Sequence, residues 1–139
     1  MTNKKPNNQP NMDLIRMVQN ARMAHDQAAQ PSQVAAVYWI EVKPRQVTTT
    51  PTPRAGFWRI RVTTQTVDAV WSAVKSATEA GELGYKSKVS TASRDGDPNS
   101  RVIHVLTVDA DDAVDVERVR AALVKIGHTP DGYERRAEG

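Results

Sequence analysis

The chain of 139 residues contains no cysteine. Disulfides, zinc–thiolate centres and thiol chemistry are excluded on that ground. Aromatics are scarce, with one Phe, three Tyr and three Trp, so a packed core has to be mostly aliphatic. No apolar run approaches the roughly 20 residues of a membrane span, and no apolar stretch follows Met1. The expectation is therefore a cytoplasmic protein with no membrane partner. His25, His104 and His128 stand on different predicted elements with no ligand spacing. "DGDPNS" (95–100) begins like a calcium loop but lacks its glycine and its terminal glutamate. No metal and no cofactor are expected. A glycine-rich phosphate loop and a nucleophile elbow are also missing.

What is present is an ordinary domain's supply of material: 39% apolar and 25% charged residues. One domain is the default at this length. The net charge of +3 favours anionic partners only weakly, nucleic acid among them. Residues 1–10, "MTNKKPNNQP", are polar or proline after Met1 and read as a disordered tail. Residues 11–30 read as a peripheral helix with a thin apolar stripe of Leu14, Met17, Val18, Ala21 and Ala24. A single domain over 36–127 and a C-terminal tail over 128–139 complete the plan.

Within the domain, "AVYWIEVK" (36–43) and "FWRIRVT" (57–63) alternate as strands, joined by the Thr- and Pro-rich stretch 47–56. The position of the 44–56 loop lets it close over the open sheet face as a lid. "TVDAVWSAVKSATEAG" (66–81) is helical, with Val67, Val70, Trp71, Val74 and Ala77 on one stripe, Thr66 at the N-cap and Gly81 past the end. "LGYKSKVSTAS" (83–93) and "RVIHVLTVD" (101–109) are strands around a turn. "VDVERVRAALVKIG" (114–127) is a second amphipathic helix, capped by Asp111 or Asp112. The tail "HTPDGYERRAEG" adds a short strand or nothing. The predicted order is α-β-β-α-β-β-α. Two hairpin-like connections imply an antiparallel sheet with helices on one face, an α+β fold, and an open second face.

Alternation then sorts the side chains. If Trp58, Ile60 and Val62 meet the helices, Arg59 and Arg61 point to the open face. If Val89 meets them, Lys86 and Lys88 do likewise. Four cations would gather there, which is unfavourable unless solvent screens them or an anion bridges them. Arg101 flanks the turn within reach. Trp39, in phase with Val37 and Glu41, is the candidate stacking aromatic. His104 joins this face only if the paired residue numbers of the 83–108 hairpin sum to an even number. The plainer alternative is a solvated sheet surface, in a domain that binds protein partners and no small ligand.

The stretches "VDAVWSAVKSATEAGELGYKSKVST" and "HVLTVDADDAVDVERVRAALVKIG" resemble the basophilic-leukaemia-expressed protein family. Bacterial members of that family carry the label of phosphothreonine lyase domain proteins. The resemblance covers residues 36–127. It implies a fold similar to the messenger-RNA cap-binding initiation factor, an antiparallel sheet backed by helices. The open basic face itself suits a phosphorylated ligand or nucleotide as partner, held by charge-assisted hydrogen bonds from Arg59, Arg61, Lys86 and Lys88 with Arg101 in reach, and the resemblance makes that face the ligand-bearing side of the sheet. In the lyase alternative, Lys88 takes the Cα proton of phosphothreonine and His104 protonates the leaving phosphate.

Overall fold

A computed structural model describes residues 29–33, 39–93 and 96–136. The predicted N-terminal tail, nearly all of the predicted N-terminal helix, and Arg94 lie outside the described residues. After a single 3-10 turn at Pro31–Gln33 come β1 (Trp39–Val42) and β2 (Gly56–Thr63). Then follow α1 (Val67–Glu79), β3 (Lys86–Ser90) and β4 (Ser100–Thr107). The last elements are α2 (Ala113–Lys125) and β5 (Gly132–Arg135). The fold is α+β: among the described residues, one five-stranded antiparallel sheet in the order β1-β3-β4-β2-β5 with two α-helices.

The period of the apolar residues explains which face the helices cover. Val67, Trp71, Val74 and Ala77 of α1, with Val119 and Leu123 of α2, close over Ile40, Val42, Ile60, Val89, Ile103 and Val105 of the sheet. Trp58 joins this face, and its indole N–H donates to the Val116 carbonyl at 2.9 Å. Polar side chains also enter the core: the Thr78 hydroxyl donates to the Val74 carbonyl at 2.7 Å and meets the Ser87 hydroxyl at 2.7 Å. Each helix is followed by a glycine at positive φ, Gly81 and Gly127.

Two expectations need correcting, and a third holds in position but not in its hydrogen bond. β1 and β2 do not form a hairpin, because β3 and β4 lie between them. Residues 43–55 cross three inter-strand spacings, about 14 Å, a span that a tight turn cannot make. The same segment is no lid for the second face. Thr52 donates its N–H to the Val108 carbonyl at 2.9 Å, and the Arg54 carbonyl accepts from Ala110 N–H. The loop is thereby fixed at the sheet end opposite to Arg61 and Val102. Thr66 does stand at the N-cap of α1, but its hydroxyl turns away from the helix and accepts the Thr63 N–H at 3.0 Å. The tail does contribute a strand, β5, on the outer edge of β2.

Candidate functional site

The register of the sheet decides which charged side chains are neighbours. Lys88 lies opposite His104 on β3 and β4, so the residue numbers sum to an even value. Arg59 of β2 lies opposite His104 from the other side. One transverse row of the second face therefore reads Glu41, Lys88, His104, Arg59 and Gly132. The flanking row on one side brings Arg61 beside Val102. The row on the other side brings Lys86 beside Leu106, with Phe57 and Glu134 beyond. None of the described helices packs on this face.

His104 lies stacked on Phe57, with ring centroids 3.9 Å apart and planes 18° apart. Its ring also meets Trp39 at 4.9 Å, tilted by 40°. The Lys88 ammonium sits 4.3 Å above the Trp39 ring, a cation–π contact. Trp39, the predicted stacking aromatic, thus contributes to a small aromatic–cationic cluster built across four strands.

Beside this cluster lies a groove of about 290 Å³, lined by Trp39, Arg59, Arg61, Ser100, Arg101, Val102 and His104. Arg101 reaches it from the strand end. Its parity is that of the covered face, but its guanidinium wraps back onto the Pro98 and Ser100 carbonyls at 3.1 and 2.7 Å. The Nε atoms of Arg59 and Arg101 are buried without a hydrogen-bond partner among the described residues. Such donors are costly to leave unpaired.

Among the cations predicted to share the face, Lys86 and Arg59 are paired with carboxylates on the edge strands. Lys86 pairs with Glu41 of β1 at 3.3 Å, and Arg59 pairs with Glu134 of β5 at 3.1 Å. Lys86 does not line the groove. Like charges on adjacent strands are thus offset by acids as well as by solvent. The sequence does not single out Glu134 as a partner, because the tail is compatible with a short strand or none. The alternating "GYER" after Asp131–Gly132 was the available signal, and four residues make it weak. Among the described residues no cluster of His, Asp or Glu is arranged to hold a metal ion, and no helix is long and apolar enough to cross a membrane.

The family model described as "Basophilic leukemia-expressed protein Bles03" matches residues 11–133. The chain belongs to the Bles03 family. No curated protein matches it. The Bles03 match contains both helices and every residue lining the groove, and it stops one residue short of Glu134.

Proposed function

We propose that the second sheet face binds a phosphate-bearing ligand, a nucleotide, RNA end or phosphopeptide, in the groove between Trp39, Arg59, Arg61, Arg101 and His104. The observation that carries this reading is the convergence of three arginines on one groove, two of them with buried and unpaired Nε donors. Guanidinium groups bind phosphate oxygens through paired, charge-assisted hydrogen bonds. The flat walls of Trp39 and His104 offer apolar surface to whatever bears the phosphate. A sheet backed by helices on one face is also how the cap-binding initiation factor is built, which supports assigning the ligand to the other face.

The test is a titration with inorganic phosphate, a nucleoside monophosphate and a phosphothreonine peptide, followed through the arginine Nε–H signals in nitrogen-15 NMR. Arg59, Arg61 and Arg101 signals shift together, and Arg61→Gln or Arg101→Gln weakens binding roughly tenfold, the scale of one charge-assisted hydrogen bond. Unmoved arginine signals would remove the reading. Comparison of the three probes then separates a nucleotide from a peptide ligand.

A second reading is β-elimination from phosphothreonine, favoured by the direct cross-strand pairing of Lys88 with His104. Lys88 would take the Cα proton, and the C–H electron pair would form the C=C bond. The C–O bond to phosphate would break, with His104 protonating the departing oxygen. The product is a peptide one water lighter than its unphosphorylated form, and Lys88→Ala abolishes it. A phosphopeptide recovered unchanged after incubation excludes this reading and leaves binding standing.

A further inference from the structure

This inference rests on the reading of the groove as a phosphate site and concerns what occupies Arg59 when no ligand is bound. Arg59 sits at the centre of the face, between His104 on β4 and Gly132 on β5. The glycine suits a close approach: a Cβ at position 132 would stand 3.2 Å from Arg59 Nη2, tighter than an ordinary contact. The guanidinium therefore lies across the β5 backbone, and just past it Glu134 Oε1 meets Nη1 at 3.1 Å. The carbonyl of Arg59 also accepts the Asp131 N–H at 2.7 Å, and Asp131 Oδ2 accepts the Arg61 N–H at 2.6 Å. The strand that delivers Glu134 is thus anchored on the arginine strand itself. Arg61 and Arg101, by contrast, have no carboxylate at ion-pair distance among the described residues.

We infer that Glu134 is an internal counter-ion: it holds Arg59 in the free protein and yields it to the phosphate of an incoming ligand, so that β5 sets the affinity of the groove. The two partners differ in strength. The side chains of Arg59 and Glu134 are 24% and 54% exposed, and an ion pair so open to water is weak. A phosphate monoester brings about −1.5 to −2 charges and three acceptor oxygens. Turning Arg59 off Glu134 also frees its Nε, the donor left unpaired in the present arrangement. The exchange removes one carboxylate from the guanidinium and replaces it with two or more oxygen contacts.

The experiment compares Glu134→Gln with the unaltered protein in a titration with inorganic phosphate, read at the Arg59, Arg61 and Arg101 Nε–H signals. Glu117→Gln is the control. It removes the same charge from an exposed pair on α2, where Glu117 meets Arg120 at 2.6 Å. Glu134→Gln tightens phosphate binding roughly two- to fivefold, the scale of one exposed ion pair, while Glu117→Gln leaves it unchanged. Equal affinity in Glu134→Gln and the unaltered protein overturns the inference but leaves the phosphate site standing. Weaker binding in Glu134→Gln also overturns it, because Glu134 would then be positioning Arg59 for the ligand. Equal tightening by both substitutions assigns the effect to net charge and overturns it too. Absence of phosphate binding in every protein removes the phosphate reading, and the inference with it.

Discussion

Gly84 shows how much one hydrogen atom in place of a side chain decides. The chain passes so close to β4 that a Cβ at position 84 would lie 1.7 Å from the Leu106 carbonyl oxygen. The next residue uses that proximity, because Tyr85 N–H donates to the same oxygen at 3.1 Å. The obstacle is backbone at the heart of the sheet, which cannot turn aside as a flexible side chain does. Gly84→Ala is expected to destabilise the protein by about 3 kcal/mol or more, as overpacking against a fixed strand. Urea unfolding measures it directly, and a loss below about 1 kcal/mol would show that the 83–85 turn can move away from β4. The groove arginines are governed by residue-scale contacts of the same kind. Arg59 passes close over position 132 of β5, where a Cβ would stand 3.2 Å from its Nη2 and push the guanidinium aside by a few tenths of an ångström.

At the scale of elements, the two helices start differently although both have a good capping residue in sequence. Asp112 accepts the Asp115 N–H at 3.1 Å, as an N-cap should. Thr66 spends its hydroxyl on Thr63 at the end of β2. Asp112→Ala should therefore cost about 1 kcal/mol through α2. Loss of the Thr66 hydroxyl acts on the β2–α1 corner and removes no helix cap. Denaturant midpoints of the two alanine variants, together with amide exchange in the first turns of α1 and α2, check this. Increased exchange in the first turn of α1 on Thr66→Ala would contradict it. The helix stripes and strand alternations were legible because burial on one face imposes periods of 3.6 and 2. β5 was nearly illegible: four residues, two of them charged and exposed, pair with an edge and bury little.

For the whole molecule, two groups outside the groove contribute to the response to pH with opposite sense. The Arg54 guanidinium hydrogen-bonds Asp109 at 2.7 Å and holds its carboxyl below the usual carboxylate range. A depressed folded-state pKa means stability that is present above the unfolded value, near 4, and lost as the pH falls through the folded one. Burial, partly offset by the hydrogen bond with Thr107 at 2.8 Å, pushes the Tyr133 phenol up. That contribution has the opposite sense: it is complete below about pH 10 and lost as the pH rises through the folded pKa. Thermal unfolding across pH should show both limbs. Asp109→Asn should lie below the unaltered protein near neutrality and converge with it in acid. Parallel curves down to the lowest pH would contradict the assignment.

The amino-acid sequence by itself determined the α+β class, both helices with their apolar stripes, and the phase that sets Arg59 and Arg61 opposite to Trp58 and Ile60. Those features follow from local periodicity and from the need to bury a small aliphatic supply on one side of the sheet. Only the tertiary structure decided that β3 and β4 separate β1 from β2, that His104 stands between Lys88 and Arg59, and that Glu41 and Glu134 pair with Lys86 and Arg59. Each of these is a pairing between distant segments. Strand order and register are fixed by how whole faces fit together, and alternation along one strand carries no information about its neighbour.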